Sequence, residues 1–165
     1  MFDVSSLADL TAVDRAHGAL HGVLAAAAEF ASITVQLGAV LPTVLEGGDT
    51  RRWLNVLIAP IPIQILGEVL GLGEDDDGYE VEYIQTYHLE WLVQRDNDAA
   101  RKAAFQAGLL AIDAALRGDR TLGGAARGLT LGPPVREPNS LPFSPATLSA
   151  LIPVRVQLRG RSVIG

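Results

Sequence analysis

The sequence predicts an α+β fold in which a mostly antiparallel or mixed sheet of four to five strands is covered by two helices. From Tyr79 to Gln94, side chains alternate between apolar and polar, which is the period of a strand with one buried face. Between Phe105 and Leu116, apolar residues recur instead at helical spacing. No regular helical crossovers separate the predicted strands, so a purely parallel sheet is not favoured.

Two segments carry helix signals. The first helix is predicted to begin at Ser5 or Ser6, where serine can cap it, and to end before Ile33. The second is predicted to start after a cap in the Asp96–Asp98 segment and to stop at Gly118. Its apolar stripe should pack on the long strand, and its polar side should be formed by Asp98, Arg101, Lys102, Gln106, Asp113 and Arg117.

The remaining strands are shorter. β-rich runs occur at Ile33–Val44, Trp53–Ile58, Arg127–Leu131 and Pro153–Arg159. Pro60 and Pro62 cannot donate ladder hydrogen bonds, so they predict a loop or a sheet edge. Residues 132–147 hold five of the nine prolines and predict an extended loop within a single domain spanning residues 1–165.

Composition predicts association. Apolar residues make up 48% of the chain and charged residues only 19%, which is apolar for a protein of this size. The most apolar stretch, Leu54–Gly73, is interrupted by Pro60 and Pro62, so we expect subunits rather than a membrane to cover the excess. The net charge of −6 argues against tight binding to phosphate backbones, and the absence of cysteine excludes disulfides and thiolate metal sites.

No residue cluster predicts catalysis. His17 and His21 share a helical face at i,i+4 spacing, but no third metal ligand accompanies them, so two surface histidines are the simpler interpretation. His88 and the acidic residues Glu80, Glu82 and Glu90 fit a solvated strand face better than a proton-transfer or cation site. We therefore expect no enzyme activity, no metal and no cofactor.

Several segments together resemble a known family. They are WLNVLI, YEVEYIQTYHLEWLVQ, the helix ending IDAALRGDRTLGGAARGL, and the terminal strand IPVRVQLRG, with the DRTLGG turn as the most specific part. Over residues 53 to 160 the chain resembles the tail-terminator proteins of siphophages and of gene-transfer-agent-like particles. The resemblance implies a homo-hexameric ring that caps the head-proximal end of the tail tube and stops its polymerisation. Such a ring joins the tube to the head connector.

The resemblance also implies a location and partners. The protein would be assembled in the host cytoplasm and reside in the neck or tail of the virion, binding the tail-tube protein and the connector or stopper. DNA would pass through the ring without specific binding. We hypothesise that three acidic residues face the lumen, namely Glu80, Glu82 and Glu90. Contacts between subunits or rings are predicted for the proline segments, at Pro60, Pro62, Pro138, Pro142 and Phe143.

Three alternatives stay open from the sequence. A stopper or head-completion protein has similar size and ring symmetry, but would bind the adaptor instead of the tube. A small ligand-binding protein or acyl-transferring enzyme would need a pocket with a perturbed nucleophile or base. An ordinary soluble dimer would need neither a ring-shaped assembly nor such a pocket.

Overall fold

A computed structural model describes residues 5–42, 45, 51–70, 79–136 and 146–161. Within these residues, two helices lie on one face of a seven-stranded mixed sheet. This confirms the predicted α+β fold, with more strands than expected. The elements in chain order are α1 (Ser5–Ala25), β1 (Gln36–Leu37), β2 (Arg51–Ile58), β3 (Gln64–Leu70), β4 (Tyr79–Gln94), α2 (Asp98–Gly118), β5 (Gly128–Leu131), β6 (Val135–Arg136) and β7 (Thr147–Arg161), with single 3₁₀ turns at Ala28–Phe30 and Leu122–Gly124.

The two longest strands form the centre of the sheet. β4 and β7 run antiparallel and pair from Glu80 opposite Arg161 to Gln94 opposite Thr147. On the other side of β4, β2 pairs with its second half and β3 with its first half. β5 and β6 pair with the outer side of β7, and β1 adds in parallel to β2, which makes the sheet mixed.

β2 and β3 behave as one edge strand with an interruption. Ile58 pairs with Tyr87 and Gln64 pairs with Ile84, so residues 59–63 lie opposite only two residues of β4. The Ala59 N–H still donates to the Thr86 carbonyl at 3.0 Å, and the chain then loops out from the sheet. The loop expected around Pro60 and Pro62 is therefore present. The strand that follows it was not predicted.

A proline lies inside β7, which begins at Thr147 rather than at Pro153 as predicted. The Pro153 carbonyl accepts from the Gly132 N–H at 2.8 Å, so the backbone at this position faces the β5–β6 side of the strand. The missing proline N–H therefore falls in the gap between β5 and β6, and the β4 ladder loses no donor. A Cβ on Gly132 would lie 2.6 Å from the Pro153 Cγ, so only glycine fits this close approach.

Two other sequence expectations change. Among the described residues of the Ile33–Val44 run, 33–42, only the two of β1 are strand. The segment predicted as an extended loop at 132–147 contains β6, and residues 137–145 lie outside the described part of the chain.

The core lies between the sheet and the helices. Alternate residues of β4 and β7 enter it, with Tyr87 opposite Val154 and Leu89 opposite Ile152. The Phe30 ring meets Trp91 edge-on with 5.5 Å between ring centroids. The helices and turns supply the other large buried side chains, among them Leu20, Leu24, Phe105, Ile112, Leu116 and Leu122.

α2 packs on the apolar face of β4 as predicted. Asn97 caps the helix, since its Oδ1 accepts from the Ala100 N–H at 2.9 Å, and the Trp91 Nε1 donates to the Phe105 carbonyl at 3.1 Å. The prediction that Arg101 lies on the polar side was wrong. Its guanidinium is buried and donates to the Arg95 carbonyl at 2.8 Å and to Asp98 at 2.6 Å, because the tight connection from β4 brings these groups beneath the first turn.

Candidate interaction surface

The sheet has a second face, opposite the two described helices. Its residues are the polar alternates of β4 and their cross-strand neighbours. We call this surface the second face; it comprises Trp53, Asn55, Leu57, Glu82, Ile84, His88, Glu90, Arg155, Gln157 and Arg159. The odd-numbered β4 residues from Val81 to Val93 are all buried. Of the even-numbered residues between them, Glu82, Ile84, His88 and Glu90 are partly exposed, whereas Thr86 and Leu92 are buried. The alternation predicted for this strand is therefore confirmed.

Glu90 is fixed by two neighbours on β2. The Trp53 Nε1 donates to its Oε2 at 2.8 Å, and the Asn55 Nδ2 donates to the same oxygen at 3.3 Å. Asn55 is fully buried, and its amide also exchanges two hydrogen bonds with the backbone of Ala39, at 2.7 Å to the carbonyl and 3.2 Å from the N–H. The Asn55 side chain thus ties the segment after β1 to β2 beside Glu90, which holds this carboxylate in place.

Glu82 is surrounded by groups from β7 and from the residue that precedes β5. The Gln157 Nε2 donates to it at 3.4 Å, Arg127 approaches within 3.9 Å, and Arg159 occupies the opposite position on β7. Arg155, which also lies on this face, donates to Gln64 of β3 at 2.7 Å. β4 alone predicts an acidic surface, but its neighbours bring arginines to the same face. The second face is therefore mixed in charge.

The three acidic residues do not form a cluster. Glu82 and Glu90 are eight positions apart on one strand, which corresponds to about 26 Å at roughly 3.3 Å per residue. Glu80 pairs with Arg161 in the register, and its side chain lies outside the described residues. Among the residues that the structure describes, no group of three or more potential metal ligands is close enough to hold an ion.

The histidine pair on α1 binds backbone carbonyls. The His17 Nε2 lies 2.7 Å from the Val56 carbonyl, and the His21 Nε2 lies 2.8 Å from the Val35 carbonyl. The His17 ring also stacks on Tyr87, with 5.6 Å between centroids. Both histidines are half-buried, so they connect the helix to β2 and to the chain leading into β1, where the sequence had suggested surface positions.

An exposed hydrophobic segment runs along one sheet edge. Pro60 and Pro62 are exposed within it, in the loop that the sequence predicted, and β3 has no strand on its outer side among the described residues. We call residues 58–66 the apolar edge. Its large side chains keep about half of their surface exposed: Ile58 44%, Ile61 45%, Ile63 50%, Ile65 55% and Leu66 46%. Sequence reasoning named the segment Pro60–Pro62, with Ile61 between the prolines, but missed Ile63 and Ile65, although Ile61, Ile63 and Ile65 alternate in the manner of a strand.

A small groove lies at the opposite edge of the sheet, between the end of α2 and β5. It encloses about 190 Å³ and is lined by Asp113, Leu116, Arg117, Arg120, Leu129, Thr130 and Leu131. The Arg117 Nε donates to Asp113 at 2.8 Å, and this hydrogen bond raises the pKa of the Arg117 guanidinium. We call this surface the β5 groove. Nothing in the sequence pattern brought these residues together, because they come from α2, from the turn that follows it and from β5.

Three of the predicted contact residues, Pro138, Pro142 and Phe143, lie outside the described residues. None of the helices in the described part of the chain is both long and apolar enough to cross a membrane. The chain matches no protein-family model, and no curated protein shows significant similarity to it.

Proposed function

We propose that this chain is a structural subunit that assembles into a ring, and specifically a tail terminator of a long-tailed phage or a phage-derived particle. The observation that supports association is the apolar edge. Five large aliphatic side chains lie about half exposed within nine residues: Ile58 at the end of β2, Ile61 and Ile63 in the loop, and Ile65 and Leu66 on β3. The outer side of β3 faces no strand among the described residues. Exposed, apolar sheet edges promote pairing with another chain, and soluble proteins normally cover or charge them.

The size of the driving force fits a specific contact. Complete burial of an aliphatic side chain of this size contributes about 1.5–3 kcal/mol, and each of these side chains is already about half buried. Covering all of them together would contribute several kcal/mol before the entropy cost of association is counted. Burial of this edge against a partner would thus contribute favourably to the free energy of association.

The assignment to the tail terminators rests on the resemblance of the strand and helix segments between residues 53 and 160 to that family. In this proposal six copies form a ring at the head-proximal end of the tail tube, stop tube growth and bind the head connector. The protein would then belong to the neck of the virion. Pro60 and Pro62 would lie in a contact between subunits, because they belong to the apolar edge, and Pro138, Pro142 and Phe143 are assigned to the same role from the sequence.

The second face is our candidate for the lumen, with Glu80, Glu82 and Glu90 on the strand that crosses it. The charges near Glu82 are mixed, because Arg127 lies close to it and Arg159 pairs with it across the strands. A surface with balanced charges gives DNA no continuous basic track to bind. DNA would therefore pass without being held.

Reconstitution with the tail-tube protein of the same particle tests the proposal. Light scattering should give a hexamer mass, and electron microscopy should show tubes that stop growing and carry a ring at one end. Ile63→Asp should abolish both effects, whereas Leu110→Asp, at a helix position that is 61% exposed, should leave them unchanged. A monodisperse monomer that ignores tube protein would refute the proposal. Binding to the connector adaptor instead of the tube would identify a stopper.

A further inference from the structure

The apolar edge and the β5 groove lie at opposite margins of one sheet. β3 is bonded to one side of β4, β7 is bonded to the other side of β4, and β5 is bonded to the far side of β7. Because they lie at opposite margins, the apolar edge and the β5 groove cannot contact each other within one copy. They can contact each other between copies, in a head-to-tail interface. Such an interface closes into a ring when the rotation that relates neighbouring subunits divides a full turn.

The apolar side chains at the two margins lie on the same face of the sheet, the one covered by the helices. Ile65 pairs with Tyr83, which lies in the core beneath the helices, so Ile65 is on the helix-covered face of the sheet. Leu129 and Leu131 pair with Val156 and Val154, which are also core residues. If a neighbour's β3 added to the outer side of β5, with the helices of both copies on the same side of the continuous sheet, its Ile65 would lie on the same face as these two leucines.

That face is where the β5 groove opens. Leu116, Leu129 and Leu131 form its apolar lining, and about 190 Å³ is enough to receive a branched aliphatic side chain. The rim contributes two arginines and one aspartate, and Asp113 is paired with Arg117, so Arg120 leaves the groove with one net positive charge. The only charged residue in the β3 sequence is acidic, Glu68. Hydrophobic filling and charge are therefore both compatible with a second copy of this chain as the occupant.

We infer that β3 of one copy extends the sheet of the next copy at β5, with Ile65 seated in the β5 groove beneath the end of α2. This inference rests on the proposed ring and names the two surfaces that build it. Backbone ladder bonds would supply the alignment, and the aliphatic anchor in its pocket would supply specificity.

The absence of cysteine from the chain makes a disulfide test direct. Ile65→Cys protein is mixed with Leu131→Cys protein, or in a second mixture with Leu129→Cys protein, under mild oxidation. A covalent dimer should form in at least one mixture on non-reducing gels, and neither variant alone should cross-link. One chain carrying both cysteines of the productive pair should give a ladder that ends at the ring.

Leu110→Cys is the matched control, because Leu110 is 61% exposed on α2 but belongs to neither surface. It should not cross-link with Ile65→Cys. Circular dichroism of each variant checks that it is folded. Because cysteine is placed at two alternative groove positions, Leu129 and Leu131, the test still gives a result if one of these variants misfolds.

The outcomes separate this inference from the proposed function. If rings form and cap tubes but no mixed disulfide appears in either pair, the inferred contact is wrong and the proposed function stands. Cross-linking of Ile65→Cys only with itself would show a symmetric contact and would also overturn the inference. If the protein stays monomeric, does not cross-link and has no effect on tubes, both the inferred contact and the proposed function are refuted.

Discussion

The indole ring of Trp91 lies against the backbone of Gly108, so closely that a Cβ on Gly108 would come within 2.1 Å of the Trp91 Cζ2. Trp91 is fully buried in β4, and its Nε1 is held by the Phe105 carbonyl one turn earlier in α2. The missing side chain at position 108 is what allows the helix to approach the strand. This contact sets the distance between the two layers of the domain.

Gly108→Ala should therefore destabilise the protein. Alanine favours the helix by about 1 kcal/mol, but displacing a fully packed tryptophan costs more, so we expect a net loss of about 2 kcal/mol in the free energy of unfolding. Gly18→Ala in α1 is the control, because a Cβ there meets nothing within 4 Å. It should stabilise the protein by about 0.5–1 kcal/mol in chemical denaturation. Equal effects of the two substitutions would contradict the close contact.

Asn55→Ala should release the segment that follows β1. The buried amide loses two hydrogen bonds to Ala39 and one to Glu90, and the stability loss should be about 1–3 kcal/mol. The specific readout is hydrogen exchange at the Ala39 amide, which should become faster than that of the neighbouring strand amides. Gln36→Ala, which removes only an exposed bond to Thr34, should leave this exchange rate unchanged.

Tyr87→Phe should alter the response to alkali. The Tyr87 hydroxyl donates to the Val13 carbonyl at 2.8 Å, so the substitution should cost about 1 kcal/mol at neutral pH. Burial, together with the negative charge that Tyr83 and Asp14 contribute, raises the pKa of this phenol above its ordinary value. Because the folded state resists ionisation, the native protein should lose stability as the pH rises above about 10, where unfolded tyrosine ionises.

The variant should show a smaller loss of stability over that same pH range. Urea denaturation of both proteins between pH 8 and about pH 11 measures the difference. Parallel curves for the two proteins would show that Tyr87 does not contribute to the alkaline transition.

Asp98→Asn should weaken the start of α2 in a pH-dependent way. The hydrogen bond from Lys102 lowers the pKa of the Asp98 carboxyl, with further contributions from the charges of Lys102 and Arg101. A lowered pKa means that the stabilisation is present above the unfolded value of about 4 and is lost as the pH falls through the folded pKa. Thermal melts should separate the two proteins at pH 7, and the difference should shrink as the pH falls below the unfolded value and through the lowered pKa of Asp98. A difference that persists in acid would point to another cause.

The local parts of this fold could be read from the sequence. α2 has a cap at Asn97 and an apolar stripe through Phe105 and Ile112, and both signals depend only on residues within a few positions of each other. β4 alternates over its whole length with few exceptions, among them Gln85 on the buried face, and its two ends were predicted correctly. Both elements bury one face completely, which gives the sequence pattern its strength.

The misses have non-local causes. β3 follows two prolines and contains Gly67, so its own pattern is weak, and it becomes a strand because β4 offers it a partner. Arg101 occupies a polar helix position, yet the turn from β4 brings the Arg95 carbonyl to it and buries the guanidinium. The apolar edge and the β5 groove combine residues that no local window contains together.

The sequence by itself determined the class of fold, its two helices, its longest strand and its excess of apolar surface, because helix capping, periodicity and composition are local properties of a chain. Only the tertiary structure decided that the excess is concentrated along one sheet edge, that arginines from distant parts of the chain balance the charge around Glu82, and that Gly108 meets Trp91. These features depend on which strands become neighbours. Strand neighbours are chosen by the burial of the whole sheet against its helices, and no single segment encodes that choice.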